Sequence, residues 1–179
     1  MALTQLNKQI EAIRARAADM TKTLRTTQSS IDSDPTLSDQ GKQETKQAYV
    51  DQTREALADL RSQENALVKA KTQELERALD SAVGTGGADI IAFRDAQDRA
   101  ARLEEEDDAV NLLSQAIRVS DKSLAFAVFR TGLDKAWPRV RDVFLTEYPQ
   151  AAETVADLRQ LQQYHANSIE RTLTYAWFN

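Results

Sequence analysis

Apolar residues in the first part of the chain recur at alternating intervals of three and four residues. The series is Leu3, Leu6, Ile10, Ile13, Ala17, Met20, Leu24, Thr27 and Ile31. This heptad spacing predicts a helix with one narrow apolar stripe, and the polar residues between these positions suit a solvated surface. Because one stripe needs one partner helix, the central apolar positions are predicted to form a helix seam, either with the second helix or with another copy of the chain. These seam positions are Leu6, Ile10, Ile13, Met20 and Leu24.

A turn and a second long helix follow this stripe. Pro35 disfavours helical geometry at Asp34, and either Thr36 or Ser38 can cap the next helix. No proline then occurs before residue 83, and a more diluted stripe runs through this stretch. Its members are Tyr49, Thr53, Ala56, Leu57, Leu60, Leu67, Val68, Leu75, Ala78, Leu79 and Ala82. Two long helices joined by a short turn predict an antiparallel, coiled-coil-like hairpin.

Glycine and aromatic residues divide the rest of the chain. Three of the five glycines lie within residues 84–87, and ten of the eleven aromatic residues follow them. The pattern predicts a helical hairpin at 1–83, a glycine-rich linker at 84–88 and a helical domain at 89–179. Helices are predicted at 89–103, 107–119, 122–135, 139–148 and 151–178. The predicted fold is therefore all-α, with the hairpin followed by a small helical bundle or a short α-solenoid.

The amino-acid composition limits the kinds of binding or catalytic site that the chain can contain. The chain has no cysteine, and His165 is its single histidine, which excludes thiolate zinc sites, iron–sulfur clusters and two-histidine metal sites. A net charge of -5 and the absence of a basic run argue against binding of nucleic acid. We therefore expect no catalytic residue, no cofactor and no metal ion, and a protein that is not an enzyme.

Two segments admit both a structural and a functional interpretation. The acidic run at 104–108 can bind a cation, but a solvated helix start is favoured because the spacing of a calcium loop is missing. Near the C-terminus, large apolar groups lie on more than one helix face. They can dock on their own domain or bind a partner, and the candidate partner-binding residues are Leu173, Tyr175, Trp177 and Phe178.

The sequence also carries expectations about location. The first twenty residues are amphipathic rather than a charged tip followed by an apolar core, so they do not match a signal peptide. No window approaches eighteen uninterrupted apolar residues, which predicts a soluble chain without a membrane segment.

Two groups of short motifs resemble a family of small helical proteins encoded in the structural gene clusters of actinobacterial tailed phages and prophages. The first is D-P-T-L-S-D-Q-G-K at 34–42, a turn that opens a long charged helix. The second comprises F-R-D-A-Q-D-R-A at 93–100, S-D-K-S-L-A at 120–125 and G-L-D-K-A-W at 132–137.

The resemblance implies a structural or assembly component of the phage particle, and it assigns no role to any residue. We expect such a chain to form a homo-oligomer, to bind other virion or assembly proteins, and to occur in the host cytoplasm during assembly and then in the virion. The alternative is a regulatory or inhibitory coiled-coil module that sequesters a host protein.

Overall fold

The computed structural model describes residues 2–81, 83–84, 87–166 and 174–175. Within these residues the chain forms seven α-helices and one short 3-10 helix, and no β-strand. The predicted all-α fold is confirmed. The helices are α1 (Ala2–Ser33), α2 (Asp39–Asp80), α3 (Gly87–Ala100), α4 (Glu106–Arg118), α5 (Lys122–Asp134), α6 (Pro138–Glu147) and α7 (Ala152–Ala166), and the 3-10 helix spans Pro149–Ala151.

The contacts divide the chain into two compact units. The first comprises Met1–Lys71 together with Leu161–Asn179, and the second comprises Thr72–Gln160. This division falls within α2 and α7 and differs in position from the linker predicted at 84–88. In that predicted linker, Gly84 has a φ of 126°, a conformation that favours glycine. The separability of the chain at 84–88 stays a prediction.

The first unit contains the predicted antiparallel hairpin, in which α1 packs on α2. Arg14 pairs with Glu64, and Asp32 pairs with Lys46 closer to the turn. Asp32 lies 18 residues after Arg14, while Lys46 lies 18 residues before Glu64. The two helices therefore keep one antiparallel register over this length.

The turn between α1 and α2 is held by side chains that replace missing backbone partners. Oδ1 of Asp34 accepts hydrogen bonds from the backbone N–H of Thr36 at 2.8 Å and from its hydroxyl at 2.6 Å. These bonds lower the pKa of Asp34. The hydroxyl of Ser38 accepts from the N–H of Gly41 at 3.2 Å, so Ser38, one of the two predicted candidates, caps α2.

The buried face of the hairpin follows the heptads of both helices. In α1, Leu6, Ile10, Ile13 and Leu24 are buried and Met20 is half-buried. In α2 the stripe differs from the predicted one at its start, because Val50 is buried while Tyr49 is 44% exposed. The positions of α2 that are buried in this unit are Val50, Leu57, Leu60, Glu64 and Val68.

The second unit is organised around α5, which α3, α4 and α6 contact. Residues 124–129 of α5 are all buried, as expected for a helix that is apolar around its circumference. The Phe129 ring stacks on Phe144 with centroids 3.9 Å apart, and Phe126 meets Phe144 edge to face at 4.9 Å. These aromatic contacts join α5 to α6.

The acidic run at 104–108 contacts α6. Oε1 of Glu106 accepts a hydrogen bond from the backbone N–H of Arg139 at 2.6 Å, and Asp107 pairs with the Arg139 guanidinium. Trp137 precedes α6 and makes no capping bond with its side chain. Glu106 therefore satisfies a free N–H in the first turn of α6, in agreement with a structural interpretation of the run.

Two helices end at a non-glycine residue in the left-handed region. Ser120 after α4 has a φ of 58°, and Ala136 after α5 has a φ of 56°. After Ala136, the N–H of Trp137 donates to the carbonyl of Gly132 at 2.8 Å, which closes a Schellman motif. Glycine is the residue that this motif normally uses.

Replacing Ala136 by Gly is expected to stabilise the second unit by about 0.5–1 kcal/mol, because the left-handed strain on an L-residue outweighs the extra chain entropy of glycine. Urea unfolding followed by circular dichroism measures this free energy. Ala156→Gly, at an exposed position inside α7, is the matched control and should destabilise by about 1 kcal/mol. The prediction would be contradicted if both substitutions raised the free energy of unfolding or if both lowered it.

Candidate functional site

One charged side chain in the described residues is fully buried, and it lies in the hairpin. Glu64 is 1% exposed and shares its heptad position with Val50 and Leu57. The Arg14 guanidinium binds its carboxylate with two hydrogen bonds, from Nε to Oε2 at 3.1 Å and from Nη2 to Oε1 at 2.9 Å. This fork geometry is the strongest form of a carboxylate–arginine pair.

Two tyrosines complete the environment of Glu64. The Tyr164 hydroxyl donates to Oε1 and the Tyr175 hydroxyl donates to Oε2. Arg14 also donates from Nη2 to the Tyr164 hydroxyl at 3.2 Å, and its Cζ lies 5.7 Å from the centroid of the Tyr164 ring. Glu64 thus accepts four hydrogen bonds, which uses the acceptor capacity of a carboxylate. The cluster is a satisfied structural network and offers no free base.

Tyr175 packs against the hairpin of its own chain. Its side chain is buried together with Ile13, Ala17, Leu57 and Leu60. Burial raises the pKa of the Tyr175 hydroxyl above its usual value of 10.0, and the hydrogen bond to Glu64 and the Glu64 charge act in the same direction. Tyr175 was predicted as a residue that binds a partner, but in the structure its ring covers the hairpin core.

The raised pKa of Tyr175 predicts that the first unit loses stability in alkali. A group whose pKa is higher in the folded state stabilises the fold fully below its unfolded pKa of 10.0, and this contribution is lost as the pH rises through the folded value. Unfolding free energies measured from pH 9 upward should therefore fall. Tyr175→Phe should show a smaller fall, and an identical slope in both proteins would contradict the assignment.

A second feature of the hairpin is an open groove between α1 and α2 of about 370 Å³. Its lining includes Met20 and Leu24 of the seam, Thr53 of the α2 stripe and the exposed ring of Tyr49. The lining residues are Asp19, Met20, Thr23, Leu24, Thr27, Tyr49, Gln52, Thr53 and Ala56. The lining contains one charged residue and mixes apolar, small and neutral polar groups, a composition that suits contact with another helix.

The groove belongs to a longer exposed face with little charge. On α1 the face continues through Gln5, Gln9, Ala12 and Arg16, and on α2 through Asp59, Gln63, Ala66 and Ala70, all of which are exposed. We call this surface the neutral face. Helical spacing places these residues on the same face as the groove. Each lies three, four or seven positions along its helix from a groove residue or from another residue of this face.

The predicted site residues fall into two groups. The seam residues Leu6, Ile10, Ile13 and Leu24 are in the hairpin core, and Met20 packs against that core while lining the groove. Of the predicted partner-binding residues only Tyr175 is described. Leu173, Trp177 and Phe178 lie outside the described residues.

The sequence interpretation missed the Glu64 cluster and the groove. A seven-residue spacing from Val50 through Leu57 to Glu64 is visible in the sequence and marks Glu64 as a seam position. Its three donors come from positions 50, 100 and 111 residues away, so no local pattern links them. The groove depends on small side chains at facing positions of two helices. Predicting it therefore requires the register between α1 and α2.

The described part of the chain contains no group of three or more His, Cys, Asp or Glu residues that could hold a metal ion. In the same residues, no helix has both the length and the apolar character needed to cross a bilayer. No protein-family model matches the chain, and no match is found among curated proteins or among solved structures.

Proposed function

We propose that this chain is a non-enzymatic structural or assembly component of a tailed bacteriophage particle, associated with the capsid or the head–tail region. It acts through contacts between helices. Its sites of action are the host cytoplasm during assembly and the virion. The observation that carries the proposal is the neutral face of the hairpin, with its open groove at Met20 and Tyr49.

Three features support a binding role over catalysis. Most residues of the neutral face are exposed, and its low charge matches the depletion of charged residues at the centre of protein interfaces. Glu64 has all its acceptor sites engaged, so it does not resemble a general base poised in a cavity. The motifs at 34–42, 93–100, 120–125 and 132–137 supply the link to phage structural gene clusters.

The proposal is tested by the copy number of the chain in purified particles. We expect quantitative mass spectrometry to find a fixed, repeated number of copies per particle. Tyr49→Glu, which places a charge in the groove, should reduce incorporation, whereas Ala48→Glu, at an exposed position that does not line the groove, should not. Absence from particles, combined with stoichiometric binding to a host protein, would overturn the proposal in favour of the regulatory module.

The predicted partner-binding residues near the C-terminus provide a separate test. Deleting residues 177–179 removes Trp177 and Phe178 and leaves Tyr175 in place. If these aromatic residues anchor another virion protein, each contributes about 2 kcal/mol, and the deletion should weaken association without loss of helical signal. A truncated chain that no longer folds would show that these residues belong to the core instead.

A further inference from the structure

We propose that the neutral face binds the neutral face of a second copy of this chain, with the two hairpins antiparallel and related by a two-fold axis. Arg16 of each copy then pairs with Asp19 and Asp59 of the other. The inference deepens the proposed function by naming the partner of this surface.

Three charged side chains of the neutral face form no ion pair among the described residues. Arg16, Asp19 and Asp59 are exposed on the neutral face. Among the ion pairs found in the described part of the chain, none includes any of these three side chains.

The hairpin register then fixes where these charges stand. The register that pairs Arg14 with Glu64 and Asp32 with Lys46 sets Asp19 and Asp59 at one level, on opposite helices. The two carboxylates therefore flank the same end of the groove. Arg16 lies one helical turn away, because it precedes Asp19 by three residues.

A two-fold axis converts this arrangement into complementary charges. If the axis crosses α1 between Arg16 and Asp19, Arg16 of one copy reaches the level of Asp19 and Asp59 of the other, and the reverse pair forms by symmetry. If the two hairpins were parallel, the groove of one copy would lie opposite the groove of the other. Neither groove would then be filled by the other copy. Opposite charges at the contact favour the antiparallel arrangement.

The same axis supplies an occupant for the groove. It places the groove of one copy opposite the part of the neutral face that precedes Arg16 in the other copy. That part carries Gln9 and Ala12 on α1 and Gln63, Ala66 and Ala70 on α2, all exposed and uncharged. Small and neutral side chains allow close approach of two helical layers, so the pairing produces a four-helix bundle.

Charge reversal tests the pairing. We expect the purified full chain to sediment as a dimer, and either Arg16→Asp or the double variant Asp19→Arg/Asp59→Arg to weaken dimerisation by about ten-fold or more. The triple variant that combines all three changes should restore it. Lys22→Asp and Glu55→Arg are matched controls on positions outside the neutral face, and they should leave the dimer intact.

A cysteine pair tests the register, because the chain contains no cysteine of its own. The proposed axis brings Ala12 of one copy opposite Thr23 of the other, whereas within one helix these residues are about 16 Å apart, too far for a disulfide. Oxidised Ala12→Cys/Thr23→Cys should therefore form a covalent dimer, and each single variant should not.

A monomeric wild-type chain at all concentrations, or a triple variant that stays dissociated, would overturn the inference. Equal cross-linking of the single and double cysteine variants would also overturn it. Because these measurements use the purified chain, they are independent of the particle copy number. If the chain is absent from particles but still dimerises in this register, the proposed function would be wrong and the inferred dimer would stand.

Discussion

Ile13→Asp is expected to unfold the first unit or to destabilise it by about 4 kcal/mol or more. Ile13 is 8% exposed and packs with Ala17, Leu57, Leu60 and Tyr175 in one core cluster. The substitution removes apolar contacts from a close-packed site and places a carboxylate among buried apolar side chains. Since whole proteins are stable by only about 5–15 kcal/mol, a loss of this size is visible as a large fall in melting temperature.

The measurement is thermal and urea unfolding followed by far-ultraviolet circular dichroism. Ala15→Asp, at an exposed position two residues away, is the matched control and should cost less than about 1 kcal/mol. Ile13→Val, which keeps the apolar character, should cost about 1 kcal/mol. A melting curve for Ile13→Asp that overlays the wild-type curve would contradict burial of the seam.

The reason that α1 could be predicted so closely lies in its heptads. From Leu6 to Leu24 every predicted position faces the hairpin core, because a single periodic stripe admits one solution for a helix with one partner. In α2 two registers of the stripe compete, one through Tyr49 and one through Val50. Packing against α1 selects the stripe through Val50, and the sequence of α2 alone does not contain this information.

Packing details of the second unit also depend on partners that are distant in sequence. Gly132 lies inside α5, where an added Cβ atom would stand 2.6 Å from Cγ1 of Val140. Glycine at this position permits the close approach of α5 and α6, a requirement that appears only when α6 has docked. Likewise, Glu106 caps a helix that begins more than thirty residues later.

The buried carboxylate in the hairpin has a physical role that follows from its place in the seam. An apolar residue at position 64 would continue the heptad and would tolerate other registers. A glutamate there requires Arg14, Tyr164 and Tyr175 to be present together, since an unpaired buried charge is costly. We therefore interpret Glu64 as the residue that fixes one register of α1, α2 and the segments that carry the two tyrosines.

This interpretation predicts that removing both members of the ion pair costs less stability than removing Arg14 alone. Arg14→Leu leaves the Glu64 carboxylate buried without its cation, and it should destabilise the first unit by about 3 kcal/mol. The double variant Arg14→Leu/Glu64→Leu replaces both charges by apolar groups, which at position 64 continues the heptad. It should recover about 1 kcal/mol of that loss, because apolar replacements of buried pairs are often neutral or stabilising, and the recovery is partial because the Tyr164 and Tyr175 hydroxyls lose their acceptor.

A double-mutant cycle measured by urea unfolding gives the coupling between the two residues directly. Arg54→Leu is the control, since Arg54 and Asp51 form a pair with side chains 65% and 56% exposed, and its loss should cost less than about 0.5 kcal/mol. The expected signature is a double variant more stable than Arg14→Leu alone. The loss of stability in the double variant could instead equal the sum of the losses in Arg14→Leu and Glu64→Leu. Glu64 would then be tolerated without Arg14, and the role assigned to the buried carboxylate would be wrong.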